Sequence, residues 1–323
     1  MKHKQKQLLL LLSRKYIVIL IFLSIIPLYA VSQCLSSANP VGGTANLLVL
    51  EKKTFRTLLF HKYGQGTQYY ENNNPSVFNL ISKAYYNYLF AGFGYGLTNR
   101  FTIELETGYY LNKTQVYNLT PSYKLTGKGF SNVIISGKYN LFYNSQKRIY
   151  FSVSPGIKIP CSRKLKIYNN VELPIEVQPT VGAYGYVLNL SFVKENSGKG
   201  MRYFATNRIE ISNPNKNEYK LGTAIFTSIY ISKHLMFSWV KRDWTAILQI
   251  RNEIRIPDKI TGIQKESSGS NLFFLVPQIN HVINEKWYLS SMIDIPVYQY
   301  FKGTQLAAGI GITTSLSRVI NTK

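Results

Sequence analysis

The chain has 323 residues, of which 25 are tyrosine and only 16% are charged, with a formal net charge of +23. Its cations are dispersed along the sequence without a recognisable binding module, which speaks against a nucleic-acid partner. No heptad, low-complexity tract or linker divides the chain after residue 32, so one domain is expected.

The first predicted element is a leader. Lys2, Lys4, Lys6, Arg14 and Lys15 precede an apolar run over residues 16–28, and Ala30-Val31-Ser32 then offers small residues to a signal peptidase. This is the pattern of a secretory signal peptide over 1–32. The run is shorter than the roughly 18 residues that argue for a spanning helix. Removing its five cations from +23 leaves +18 for the mature chain. Gln33 is a poor residue before a lipidated cysteine, which weighs against an anchor on Cys34. Cys34 and Cys161 could make one disulfide, but their spacing suggests neither a disulfide framework nor a metal site.

Beyond the leader nothing approaches a spanning helix, so any membrane role must be carried by a closed barrel. In chain order, alternating apolar patterning predicts strands near 53–63, 83–97, 100–111, 128–143, 149–160, 175–193, 201–212, 219–232, 244–256, 271–283, 287–300 and 304–320. Ordinary strands average about 5–6 residues; a tilted strand that crosses a bilayer needs roughly 9–11. In 100–111 the residues Phe101, Ile103, Leu105, Thr107, Tyr109 and Leu111 share one face, and Thr102, Glu104, Glu106, Gly108 and Tyr110 share the other. In 244–256, Leu248, Ile250 and Ile254 alternate with Gln249, Arg251, Glu253 and Arg255; in 287–300, Ile293 and Val297 alternate with Ser290, Asp294 and Tyr298.

The connections alternate in length. Those at 98–99, 145–148, 196–200 and 284–286 are short, whereas 64–82, 112–127, 161–174 and 257–270 are long, as the two rims of an outer-membrane barrel require. Two fit less well: 233–243 is long where a short turn is due, and 213–218 is short for a loop. Aromatic residues gather near strand ends, and Tyr109, Tyr143, Trp244, Trp287 and Tyr300 are candidates for interfacial girdles. A soluble β-sandwich would scatter its aromatics through the core instead. The expected fold is therefore all-β, a transmembrane antiparallel up-and-down β-barrel of about twelve strands. Residues 33–52 are assigned to a periplasmic N-terminal segment and 53–320 to the barrel. The expected location is the bacterial outer membrane, with membrane lipid, lipopolysaccharide and a small-molecule solute as partners and no nucleic acid.

The second face of each strand should line the lumen. Arg56, Lys138, Lys158, Arg202, Arg208, Arg251 and Arg255 are set there against Glu104, Glu106, Glu210, Glu253 and Asp294. Opposite charges in a narrow lumen pair with one another and obstruct passage. Arg208 with Glu210 and the run Arg251, Glu253, Arg255 are the candidates for such a network. It either stabilises the interior or forms a constriction that selects or gates solutes.

Catalytic signatures are thin. His61, His234 and His281 stand in no recognisable catalytic setting, and His281 reads as an interfacial or packed histidine, so the chain is expected not to be an enzyme. No short ligand spacing points to a metal, and no cofactor is expected. Gly92, Gly94 and Gly96 form a GxGxG stretch inside a strand pattern with no helix after it, which excludes a dinucleotide site. As strand residues they relieve crowding in a curved wall or admit a close neighbour.

Asn39-Pro40-Val41-Gly42-Gly43-Thr44-Ala45-Asn46, followed by Ala91-Gly92-Phe93-Gly94-Tyr95-Gly96-Leu97-Thr98-Asn99-Arg100-Phe101, resembles the outer-membrane barrels grouped as meta-pathway phenol-degradation transporters, in their Bacteroidetes-type versions. The resemblance spans most of the mature chain and rests on pattern more than on diagnostic residues. It implies a passive transporter or channel for small hydrophobic or aromatic solutes. The chain departs from the pattern in ending Leu316-Ser317-Arg318-Val319-Ile320-Asn321-Thr322-Lys323, without a terminal aromatic. Two other readings stand beside the channel: an anion-selective pore, which requires a continuous basic ladder, and a structural or surface-interaction barrel with a plugged lumen.

Overall fold

The computed structural model describes residues 48–235, 244–284 and 286–322. The leader expected over 1–32, Cys34, the 39–46 stretch and the connection 236–243 lie outside the described residues. Among those described, twelve long strands form the wall: β1 (Thr54–Gly66), β2 (Ile81–Thr98), β3 (Phe101–Tyr117), β4 (Tyr123–Asn144), β5 (Ile149–Pro160), β6 (Gly185–Asn196), β7 (Met201–Ser212), β8 (Ala224–Leu235), β9 (Trp244–Arg255), β10 (Ser270–Asn284), β11 (Trp287–Leu306) and β12 (Gly311–Asn321). Each pairs antiparallel with its neighbours in sequence, and β1 pairs with β12 from Thr54↔Asn321 to Gly64↔Gly311, which closes the barrel. Closure removes the unpaired edges that an open sheet would present to lipid.

The packing is that of a soluble protein turned inside out. Ile103, Leu105, Ile135, Leu248, Ile250, Ile293 and Ile312 are exposed on the outer face, while Thr102, Glu104, Glu106, Ser136, Lys138, Gln249, Arg251 and Thr313 are buried on the inner one. The alternation is one residue in two because successive side chains of a strand point to opposite faces. It breaks in β11, where the pairing with β10 slips between Phe273 and Phe274. Beyond this bulge Gln299 and Phe301 turn inward and Tyr298 and Tyr300 turn outward. Tyr298, expected on the lumen face with Asp294, is therefore on the outer wall: one extra residue inverts every side chain that follows it.

Among the described residues short turns join the strands on one rim, and Lys53 and Thr322 meet there, with the Thr322 amide donating to the Lys53 carbonyl at 2.7 Å. The opposite rim differs from the expected loop lengths. The predicted loop 112–127 is mostly strand, because β3 and β4 continue their pairing to Tyr117↔Tyr123. The predicted strand 175–193 begins only at Gly185, and residues 173–183 instead fold inward, burying Val177, Gln178 and Ala183. Pro174, Pro179 and Gly182 in this stretch argue against a central strand. The Val177 carbonyl oxygen sits where a Cβ on Gly127 of β4 would be, so glycine at 127 lets the inward loop lie against the wall. Residues 304–306 extend β11, and the last strand starts at Gly311.

Candidate functional site

The lumen is the only part of a closed barrel that a solute could share with polar side chains, and its lining divides into two chemistries. The first is ionic. Lys138 Nζ and Arg56 Nη2 meet Glu104 Oε1 at 2.8 and 3.1 Å. Arg208, projecting from β7, holds Glu210 through Nε at 2.8 Å and Glu106 of β3 through Nη1 at 3.1 Å. Because β4, β5 and β6 lie between β3 and β7 in the wall, the Arg208 to Glu106 pair spans the interior. Lys158 supports Glu210 at 3.4 Å and donates to the Ser212 hydroxyl at 2.9 Å. The third group centres on Asp294, whose two oxygens are held by Lys62 at 2.7 Å and Arg251 at 2.9 Å, while Arg251 Nε also meets Glu253 at 2.7 Å. The Arg251 guanidinium further lies 4.5 Å from the Phe274 ring centroid.

The structure thus brings together Glu104, Glu106, Arg208, Glu210, Arg251, Glu253 and Asp294, and sorts them into three clusters rather than the two expected. Arg255 faces the same interior but joins none of these pairs. Arg202 does not belong to the set: its side chain is 60% exposed and meets Glu195 at 3.1 Å near the short-turn rim. Lys62 and Lys113 are lumen residues that sequence reasoning missed, both about 95% buried. The parity of Lys62 with Arg56 on β1 would have found the first. Lys113 was hidden by reading 112–127 as loop; it donates to the Gln178 carbonyl of the inward loop at 3.1 Å.

The second lining is aromatic. On β1, β2 and β3 the inward residues Phe60, Tyr86, Tyr88, Phe90 and Tyr110 form one buried cluster with Leu58, Ile81 and Tyr69. Phe60 and Phe90 stack with centroids 4.5 Å apart, and Tyr88 and Tyr110 lie 4.7 Å apart. Along β3 the ionic residues Glu104 and Glu106 come first and Tyr110 follows, nearer the long-loop rim. Between the linings lies a cavity of ≈ 150 Å³, bordered by Tyr88, Phe90, Tyr110, Lys158, Arg255 and the inward loop at Gln178.

The close approach expected at the glycine stretch is present, and the neighbour is the chain's own N-terminal segment. The Glu51 carbonyl occupies the space a Cβ on Gly96 would need, and the Lys53 amide donates to the Gly96 carbonyl at 2.8 Å. Leu50 is buried, its amide donating to the Thr102 hydroxyl at 2.8 Å.

Of the aromatic residues marked at strand ends, Tyr143, Trp244 and Trp287 lie beside the short-turn rim, and Tyr109 and Tyr300 lie further along their strands. Trp244 stacks on His281 at 4.3 Å, Trp287 carries Arg318 at 5.0 Å, Tyr143 meets Tyr150 at 5.3 Å and Tyr109 meets Phe130 at 4.9 Å. Cys161 is exposed just after β5. Among the described residues no group of three His, Cys, Asp or Glu side chains could hold a metal ion.

No protein-family model matches the chain, and no curated protein matches it. Solved structures do. An outer membrane channel from Pseudomonas putida F1 superposes with a TM-score of 0.66 at 10% identity, covering 86% of this chain and 99% of that one. The CymD monoaromatic hydrocarbon channel aligns with a TM-score of 0.41 at 8% identity, over 90% of this chain and 98% of that one. LpxR from Salmonella typhimurium aligns with a TM-score of 0.38 at 8% identity, over 82% of this chain and 99% of that one. The exclusion of an enzyme drawn from the sequence is withdrawn: the lack of a familiar histidine motif is no ground for excluding catalysis in an outer-membrane barrel. The closed twelve-strand wall, its apolar outer face and the fold shared with the Pseudomonas channel make this chain a bacterial outer-membrane β-barrel.

Proposed function

We propose that the barrel is a passive channel for small hydrophobic or aromatic solutes. The observation that carries this reading is the aromatic lining of β1, β2 and β3, because an apolar solute leaves water only for a surface that replaces its hydration and aromatic rings add offset-stacked or edge contacts of about 0.5–1.5 kcal/mol each. The fold shared with the Pseudomonas outer membrane channel supports the same reading. An anion-selective pore is less well supported, since the lumen cations are mostly matched by Glu104, Glu106, Glu210, Glu253 and Asp294 and form no continuous ladder. The Arg208 to Glu106 pair and the inward loop favour, as the second reading, a barrel whose lumen is plugged.

Two measurements separate the readings. In planar bilayers the channel proposed here passes little steady ion current, and a large anion-selective current would favour the pore. Cells that express the barrel should take up a single-ring aromatic faster than cells without it, and Phe90→Leu should slow that uptake while costing less than about 1.5 kcal/mol of stability. No uptake above the control favours the plugged barrel.

A further inference from the structure

Arg255 sets itself apart from the other lumen arginines; Lys113, which borders the same cavity, donates to the Gln178 carbonyl. Arg56, Lys62, Lys138, Lys158, Arg208 and Arg251 each meet a carboxylate within 3.4 Å. Arg255, four residues beyond Arg251 on the same face of β9, is half-buried, and among the described residues no ion pair or hydrogen bond holds it. A guanidinium carries five donors in a planar fork and stays charged at any physiological pH. Such a group inside a barrel is left with its donors facing the cavity.

The acids around that cavity are already held by other partners. Glu106 and Glu210 accept from Arg208, Lys158 adds to Glu210, and Arg255 acts on Glu210 only through its charge, without direct contact. Glu176 of the inward loop meets Lys265 at 3.1 Å. Asp258 accepts the Tyr219 hydroxyl and, at 2.7 Å, the Gly222 amide. The wall shared with Arg255 is made by the rings of Tyr88, Phe90 and Tyr110. The cavity, at ≈ 150 Å³, is of the size that admits benzene, about 150 Å³. Space for one ring, aromatic walls and one uncommitted guanidinium together define a ligand.

We propose that this cavity binds single-ring aromatic carboxylates, the ring against Tyr88, Phe90 and Tyr110 and the carboxylate on Arg255. The proposal rests on the channel reading and narrows it to one chemical class of solute. Arginine suits the task because its parallel N–H groups take both oxygens of a carboxylate. A neutral ring forgoes that pair, and acetate forgoes the rings.

The test is a binding titration of the full mature chain in detergent micelles with benzoate, its neutral isostere benzamide, and acetate. Benzoate should bind most tightly, and Arg255→Gln should weaken it by at least about tenfold, the loss expected for a charge-assisted hydrogen bond, with benzamide unchanged. Arg255→Lys should restore part of the difference. Equal benzoate affinity in the parent and Arg255→Gln overturns the proposal. So does benzamide or acetate binding as tightly as benzoate to the parent protein, a comparison that needs no variant to fold. If aromatic uptake is absent while benzoate retains its preference and its dependence on Arg255, the binding site is supported and only the channel reading falls.

Discussion

The wall from β1 to β3 and the wall from β7 to β11 weight two chemistries differently in one lumen, since the first turns a run of rings inward beside its charges Arg56, Lys62, Glu104 and Glu106. The first turns inward Phe60, Tyr86, Tyr88, Phe90 and Tyr110; the second turns inward Arg208, Glu210, Arg251, Glu253 and Asp294, with Glu106 of β3 reaching across to join it. Both obey the same alternation, so the pattern that builds the barrel does not choose what the lumen does. The charges of the ionic wall's clusters are buried and tied to partners, Glu210 by Arg208 at 2.8 Å and Asp294 by Lys62 at 2.7 Å and Arg251 at 2.9 Å. The aromatic wall makes few directional bonds and can receive a ring. Arg255 stands where the two meet.

The sharpest way to break this comparison is Asp294→Ala. It leaves Lys62 and Arg251 buried without their shared carboxylate, and loss of one partner from a buried pair costs about 3–5 kcal/mol. The urea midpoint of the purified barrel should fall accordingly, and an unchanged midpoint would show that the ionic wall is not structural. Ile250→Arg probes the outer face opposite that wall. Ile250 is 54% exposed between Gln249 and Arg251, both of which point inward, and an arginine at the lipid midplane of a barrel costs about 2–4 kcal/mol. A neutral result in lipid vesicles would sink the assignment of that face to the bilayer.

The smallest effect lies outside the wall, at the contact between the loops 213–223 and 256–269. Burial, and then the hydrogen bond to Asp258, push the Tyr219 phenol well above its ordinary range. An unfolded tyrosine releases its proton near about pH 10, so the native state holds the proton longer. This contribution is full below that pH and is lost as pH rises beyond it. Tyr219→Phe should cost about 1 kcal/mol near neutrality and flatten the alkaline fall in stability, read as unfolding midpoints between pH 7 and 11. A fall identical to that of the parent chain would place the titrating group elsewhere.

The barrel itself was legible because strand geometry imposes a period of two on any chain with lipid on one side and polar groups on the other. Phe101 to Leu111 carries that period without a fault, and its faces are as expected. Legibility failed where parity failed. The bulge in β11 moved Tyr298 to the outer wall, and the inward turn of residues 173–183 replaced half of an expected strand. Arg202 has the right residue type but sits too near the rim to be enclosed. The Arg208 and Glu210 pairing was visible as an i, i+2 relation on one face. The reach of Arg208 to Glu106, 102 residues away, was not, since nothing local records which strands face each other across a lumen.

Sequence alone determined the element type, the approximate number of strands and the alternation of an apolar with a polar face. These follow from local geometry and from the cost of burying an unpaired backbone group in hydrocarbon. Only the tertiary structure decided how the interior charges sort into clusters, that the loop at Gln178 enters the barrel, and that Arg255 makes no ion pair among the described residues. Those outcomes depend on curvature and on contacts between strands distant in the chain. A one-dimensional pattern says that a side chain points inward and is silent on what it meets there.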